Sequence, residues 1–165
     1  MLRKILLWIG MILLQALVLN RVHIGGVGTP LPYIWLLLKE STGTSREVLL
    51  LEAFALGLAV DVFSDTWGMN AAAAVLLAFA RPLLLRFSAI REEQETYTPG
   101  VRTMGVAGFT RYLVFGVVLH HAVLLALELF PTSADVVNGL VRLLVCSTLT
   151  LLLMAALENI VSRKE

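Results

Sequence analysis

Seven ionisable side chains lie inside or at the edges of long apolar runs: Glu52, Asp61, His120, His121, Glu128, Arg142 and Glu158. These are the residues whose types and placement can do chemistry. A charge held at membrane depth is costly, so such groups mark ion pairs, proton paths or polar pockets. Helical spacing sorts them. His121 and Glu128 are seven residues apart and share a helix face, as do Asp135 and Arg142. Asp61, Glu128 and Arg142 all fall toward one leaflet. Three readings of that constellation stand side by side: a buried ion pair that fixes how three helices pack, a polar pocket opening outward, or an arginine that snorkels to the interface.

The adjacent histidines do not read as a metal site. No third ligand stands at a useful spacing, and neighbouring residues on a helix point about 100° apart. The expectation is that one histidine hydrogen-bonds a neighbouring helix while the other faces a helix seam. Cys146 is the single cysteine, so no disulfide or metal-binding pair can form within the chain. It reads as a small lipid- or helix-facing residue. No nucleophile–base pair, phosphate-binding glycine loop or metalloprotease helix motif occurs. Neither an enzyme nor a cofactor is therefore expected. A net charge of +1 provides no pull toward nucleic acid.

The elements that must position these residues are apolar. Hydrophobic residues make up 58% of the 165, and mean hydropathy is +0.85. A soluble domain of this size cannot hide that much apolar surface. The apolar residues run from Ile5 to Leu19, Val48 to Val60, Ala71 to Ala80, Leu113 to Leu127 and Leu140 to Leu157. Crossing about 30 Å of hydrocarbon takes roughly 20 residues, so these runs predict an all-α integral membrane protein with a single transmembrane domain over 1–165. Arg3 and Lys4 before the first run resemble a signal peptide. Asn20, Arg21 and Val22 offer no small-x-small cleavage site, which predicts an uncleaved first helix. From His23 to Leu38, Gly25, Gly26, Gly28, Pro30 and Pro32 oppose a regular helix. That segment is either a span with an irregular entrance or a re-entrant loop.

Charge decides the count. Six spans with the N-terminus inside place Arg3, Lys4, Lys39, Arg46, Arg81, Arg86, Arg91, Arg102, Arg111, Arg163 and Lys164 in the cytoplasm, and only Arg21 outside. The spans fall at approximately 3–20, 24–39, 46–64, 68–86, 109–130 and 136–160. Five spans with the N-terminus outside is the alternative, misplacing Arg3 and Lys4. Thr44 or Ser45 is expected to cap the third helix, and Ser133 or Asp135 the sixth. The first part of the loop from Arg86 to Gly108 is expected to form a short amphipathic helix. The turn Ser64–Gly68 (SDTWG) predicts a tight antiparallel hairpin of the third and fourth helices, with Trp67 at headgroup level. The small-residue face through Ala71, Ala74 and Ala78 is a candidate for docking a partner's transmembrane helix; packing against the third helix is the alternative.

The stretch from Ala55 to Arg81, ALGLAVDVFSDTWGMNAAAAVLLAFAR, resembles the central motif of the MreD family of bacterial rod-shape-determining membrane proteins. That pattern is G-L-x-x-D closing a glycine-containing helix, a short turn with a small polar residue, then G-x-x-A and an apolar helix. Gly57, Leu58, Asp61, Ser64, Gly68 and Ala71 match it. Thr29 to Leu37 (TPLPYIWLL) looks like the second span of some members. The resemblance implies a six-helix bundle similar to the substrate-binding subunits of energy-coupling-factor transporters. It implies a non-enzymatic scaffold in the bacterial cytoplasmic (inner) membrane, with both termini cytoplasmic. Its partners would be an MreC-like bitopic protein and, indirectly, actin-like MreB, a RodA-type glycosyltransferase and a class B penicillin-binding transpeptidase, serving peptidoglycan synthesis and cell shape. The fold likeness suggests the alternative, a small-molecule-binding subunit of a vitamin-type transporter. Its outward pocket would be lined by Trp67, Asp61, Glu128 and Arg142.

The charge split yields an expected topology. Reporters placed after Glu165 or near Thr98 should read as cytoplasmic, and one at Thr132 as external. An external signal at Thr98 would eliminate the six-span arrangement.

Overall fold

The computed structural model describes residues 2–21, 29–88, 96–129 and 136–162, which form helices and connecting turns with no strand among them. Helix α1 (Leu2–Leu13) continues through a π-helical turn, Leu14–Val18, and a 3₁₀ turn, Leu19–Arg21. Then come α2 (Ile34–Leu38), α3 (Arg46–Ser64), α4 (Met69–Ser88), α5 (Val101–Leu129) and α6 (Val136–Ser162). α4, α5 and residues Val136–Val161 of α6 are each long and apolar enough to cross a membrane. These three helices give the chain the character of a membrane protein. α3 has 19 residues but carries Glu47, Glu52 and Asp61, which dilute its apolar character.

The segment from His23 to Leu38 is where sequence leaves most open. Residues 22–28 lie outside the described residues. The regular helix that follows is only five residues long, since Pro30 and Pro32 deny it an earlier start. Yet every residue from Tyr33 to Leu38 is buried, none more than 6% exposed. This short helix is the centre of the core, packed against α3, α4 and α5. A helix of that length leaves most of its backbone groups without internal partners, and an apolar bundle offers no water to satisfy them. Side chains from other elements do so. At the N-terminal side, Gln15 Nε2 donates to the Pro30 carbonyl at 3.2 Å, and Thr150 Oγ1 of α6 accepts from the Leu31 amide at 3.0 Å. At the C-terminal side, Tyr112 Oη donates to the Leu38 carbonyl at 3.1 Å, and the Arg81 guanidinium donates to the Glu40 carbonyl. Arg81 Nε donates in turn to Tyr112 Oη at 2.9 Å. Arg81 and Tyr112 are both buried.

Charged side chains lock the elements at this Lys39 end. Lys39 Nζ lies 3.1 Å from Glu158 Oε1, with the rings of Trp35 and Phe109 at 5.7 and 5.5 Å. Lys4 of α1 meets Glu52 Oε1 at 2.6 Å and Glu40 Oε2 at 2.9 Å. Arg46 stacks over Phe79. Ser45 occupies the N-cap position of α3 but makes no side-chain capping bond.

α3 and α4 form the closest helix pair. A Cβ on Gly57 would sit 2.5 Å from the Ala71 Cα, so only glycine permits this approach. Ala71, Ala74 and Ala78 are consequently no more than 3% exposed. The small-residue face is buried within the bundle and meets Gly57 at Ala71, as the packing alternative has it, and is not open to a partner's helix. α5 starts earlier than expected, with one helical turn before a break at Gly105, where φ is +71°. Residues 89–95, where the amphipathic helix was expected, and Ser133 and Asp135 lie outside the described residues; 96–99 are not helical. Large apolar side chains project outward along the bundle, among them Leu6, Leu17, Val62, Phe87, Val137 and Leu144, each at least 60% exposed.

Arg81→Met removes the donor to Glu40 and a bond to Tyr112. It should lower stability by about 1.5–3 kcal/mol, the value of hydrogen bonds from a charged donor. Tyr112→Phe should cost less, about 1 kcal/mol. Thermal unfolding in detergent measures both. A neutral Arg81→Met would show that α2 does not need this cap.

Candidate functional site

The opposite end of the bundle, marked by Trp67, holds the remaining polar residues. α3 ends at Ser64; Asp65 adopts a left-handed conformation, φ +54°, and Gly68 follows at +84°. These two reversals fold the chain back within four residues and bring the start of α4 beside the last turn of α3. Asp61 uses that proximity. Its Oδ1 accepts from Thr66 Oγ1 at 2.6 Å, from the Asn70 amide at 3.0 Å and from Asn70 Nδ2 at 3.0 Å. Its Oδ2 accepts from the Ala71 amide at 2.9 Å. The carboxylate of one helix thus caps the N-terminus of the next, where unpaired N–H groups and the helix dipole favour negative charge.

The network continues inward. Asn70 Nδ2 also donates to Thr66 Oγ1 at 2.9 Å. With both amide protons given to oxygen acceptors, the Asn70 carbonyl accepts from Tyr33 Oη at 3.2 Å. Tyr33 Oη lies 2.9 Å from His120 Nε2. A phenol has one proton, and Asn70 takes it, so His120 is the donor to Tyr33 and carries its hydrogen on Nε2. His121 Nε2 lies 3.3 Å from Thr150 Oγ1, the same hydroxyl that holds the Leu31 amide. Both histidines thus join neighbouring elements. Among the described residues no three His, Cys, Asp or Glu side chains gather as metal ligands.

The expected constellation of Asp61, Glu128 and Arg142 separates into two parts. Arg142 of α6 pairs with Glu128 of α5, each side chain about two-fifths exposed, at 42% and 40%. Asp61 is 5% exposed and bonds within the hairpin instead, because the α4 amides and Asn70 reach it first. Between these parts lies a cavity of about 480 Å³. Asn20, Ser64, Thr66, Asn70, His121, Glu128 and Arg142 supply its polar wall; Phe63, Leu124 and Leu143 are among its apolar residues. Of the four residues expected to line such a pocket, Glu128 and Arg142 do. Asp61 sits behind Thr66 and Asn70, and Trp67 points away, 95% exposed. Cys146, buried, is on the cavity wall.

Sequence reasoning passed over Tyr33, Asn70, Arg81, Tyr112 and Thr150. A tyrosine inside an apolar run needs a partner for its hydroxyl, which is the signal that Tyr33 and Tyr112 carried. Arg81 counted only as a charge near a membrane face. Chemically the arrangement is a joint. Asp61 already accepts four hydrogen bonds, which leaves it poorly placed as a general base. No known protein family's model, no characterised protein and no solved structure matches this chain.

A double-mutant comparison resolves the two parts. Arg142→Leu and Glu128→Gln should couple by about 0.5–1 kcal/mol in thermal unfolding, as a half-exposed pair does. Arg142→Leu and Asp61→Asn should add independently. Coupling in the second pair and none in the first would contradict the geometry.

Proposed function

We propose that this chain is a non-enzymatic membrane scaffold of the bacterial cell-elongation machinery, an MreD-like protein working with an MreC-like bitopic partner and, through it, with MreB and the peptidoglycan synthases. The observation that carries the reading is the mechanical role of the motif residues behind the resemblance. Gly57 admits Ala71, Gly68 turns the chain, and Asp61 caps α4. Ser64 accepts from Asn20 Nδ2 at 2.8 Å and ties the hairpin to the first helix. Each serves to build a rigid hairpin, and rigid helix surfaces are what a scaffold offers. The abundance of outward apolar side chains fits lateral contacts within a bilayer.

In this proposal the chain crosses the inner membrane six times with both ends cytoplasmic, and residues up to Lys39 form the second span. Supporting it, Lys4, Lys39, Arg46 and Arg81 gather at one end, where Lys39 joins Glu158 and Arg81 reaches Glu40. The charges of α3 are also offset: Glu52 by Lys4, Asp61 by the turn.

Affinity purification of the tagged chain from native membranes should recover an MreC-like protein and cell-wall synthases. Asp61→Ala, stripped of its cap, should fall in abundance and produce rounded cells. Recovery of a transporter ATPase module in place of the synthases would reject the scaffold and favour a vitamin-type transporter subunit.

A further inference from the structure

The cavity at the Trp67 end has a mouth and a floor. α5 lines it with Glu128, Leu125, Leu124 and His121, and α6 with Gly139, Arg142, Leu143 and Cys146. Exposure falls along both helices. The Glu128 and Arg142 side chains are 40% and 42% exposed, whereas His121 is 5% and Cys146 7% exposed. From Glu128 to His121 the helix rises about 10 Å. The mouth is therefore at the ion pair, and the floor lies inside the bundle. The volume, about 480 Å³, falls within the roughly 300–1,000 Å³ typical of ligand sites.

The two charges at the mouth engage each other. Below them, among the described residues, no charged side chain lines the cavity, so a charged group carried to the floor would lose its hydration without a counter-ion. Neutral polar groups come from the first helix and the α3–α4 hairpin: Asn20, Ser64, Thr66 and Asn70. Leu124 and Leu143 come from α5 and α6 and are apolar, as is Phe63. Several polar groups keep hydrogen-bonding capacity. Asn20 donates one amide proton to Ser64 and accepts one bond from Gln15, which leaves its second proton and a lone pair. The Asn70 carbonyl accepts from Tyr33 on one of its two lone pairs. On the floor, His121 Nδ1 is buried without a partner.

We propose that this cavity binds an uncharged sugar ring, its hydroxyls toward Asn20, Asn70 and His121 and its C–H face toward Phe63, Leu124 and Leu143. A hydroxyl both donates and accepts, so a hydroxylated ring meets the mixed donors and acceptors of one wall. A wholly apolar ligand would leave the His121 and Asn20 groups desolvated and unpaired. Neither member of the ion pair contacts the ring, and the binding is independent of the scaffold role. A free sugar and the terminal sugar of a glycan share this chemistry.

Cys146 reports occupancy, because it is the chain's single cysteine and lies on the cavity wall. The test is the rate at which N-methylmaleimide alkylates Cys146 in the purified full chain, held in a detergent without a sugar headgroup and read by intact mass spectrometry. N-acetylglucosamine, whose acetamido group adds an N–H and a carbonyl at the ring edge, should slow the alkylation in proportion to its occupancy. Glucosamine, the same ring with an ammonium, should need at least about tenfold more for equal protection. Mannitol, an open-chain polyol, should not protect. Phe63 is 55% exposed, so Phe63→Ala should fold, as thermal unfolding checks. It should raise the half-protecting concentration about tenfold, equivalent to about 1.4 kcal/mol. Diacetylchitobiose separates the sources: protection equal to that by the monosaccharide assigns the site to the end of a glycan, and weaker protection to a free sugar. The proposal is overturned by a Cys146 that the maleimide does not reach without sugar, by no protection from N-acetylglucosamine, by equal protection from glucosamine or mannitol, or by undiminished protection in Phe63→Ala.

Discussion

A backbone segment that is not a full helix lies at the centre of an apolar bundle, and its polar groups must be satisfied without water. That constraint organises the rest of the molecule. Unpaired backbone groups in hydrocarbon cost several kcal/mol each. The segment from Thr29 to Glu40 meets the cost with side chains from four directions: Gln15, Thr150, Tyr112 and Arg81. Each of these residues sits inside an otherwise apolar element. Each would be a liability there without this segment to bond.

The same segment links the two ends of the bundle. Tyr33, just before α2, connects to Asn70 and His120 and thereby to the Asp61 cap on α4. Lys39, just after α2, connects to Glu158 at the far end of α6. The short helix is thus held along its length by α4, α5 and α6. At each end the contacts are buried and polar, a setting where partial satisfaction is worse than an apolar replacement.

The outer surface follows different rules. It is apolar and is not drawn into the network, which leaves it available for lipid or for other membrane helices. The Arg142–Glu128 pair is the place where polar chemistry reaches the cavity and the outer surface together. This division gives the molecule tied internal joints and an uncommitted outside.

The sequence by itself determined the all-helical, membrane-type character of the chain, since hydropathy runs depend only on composition along the chain and on bilayer thickness. It also located the α3–α4 hairpin, because Gly57, Asp61 and Gly68 act over short separations that local spacing can reveal. It marked Glu52, Asp61, the histidines, Glu128, Arg142 and Glu158 as groups needing partners, because the energetic penalty attaches to residue type and depth. Which partner each took was decided by tertiary structure. Asp61 chose the α4 amides over Arg142, and Ala71, Ala74 and Ala78 turned inward, because the crossing of α3 on α4 settles who reaches whom first. The status of Arg81 was decided there too. A basic residue near a helix end reads as an interface charge until the fold delivers an unsatisfied carbonyl to it, and that carbonyl belongs to a segment 41 residues away.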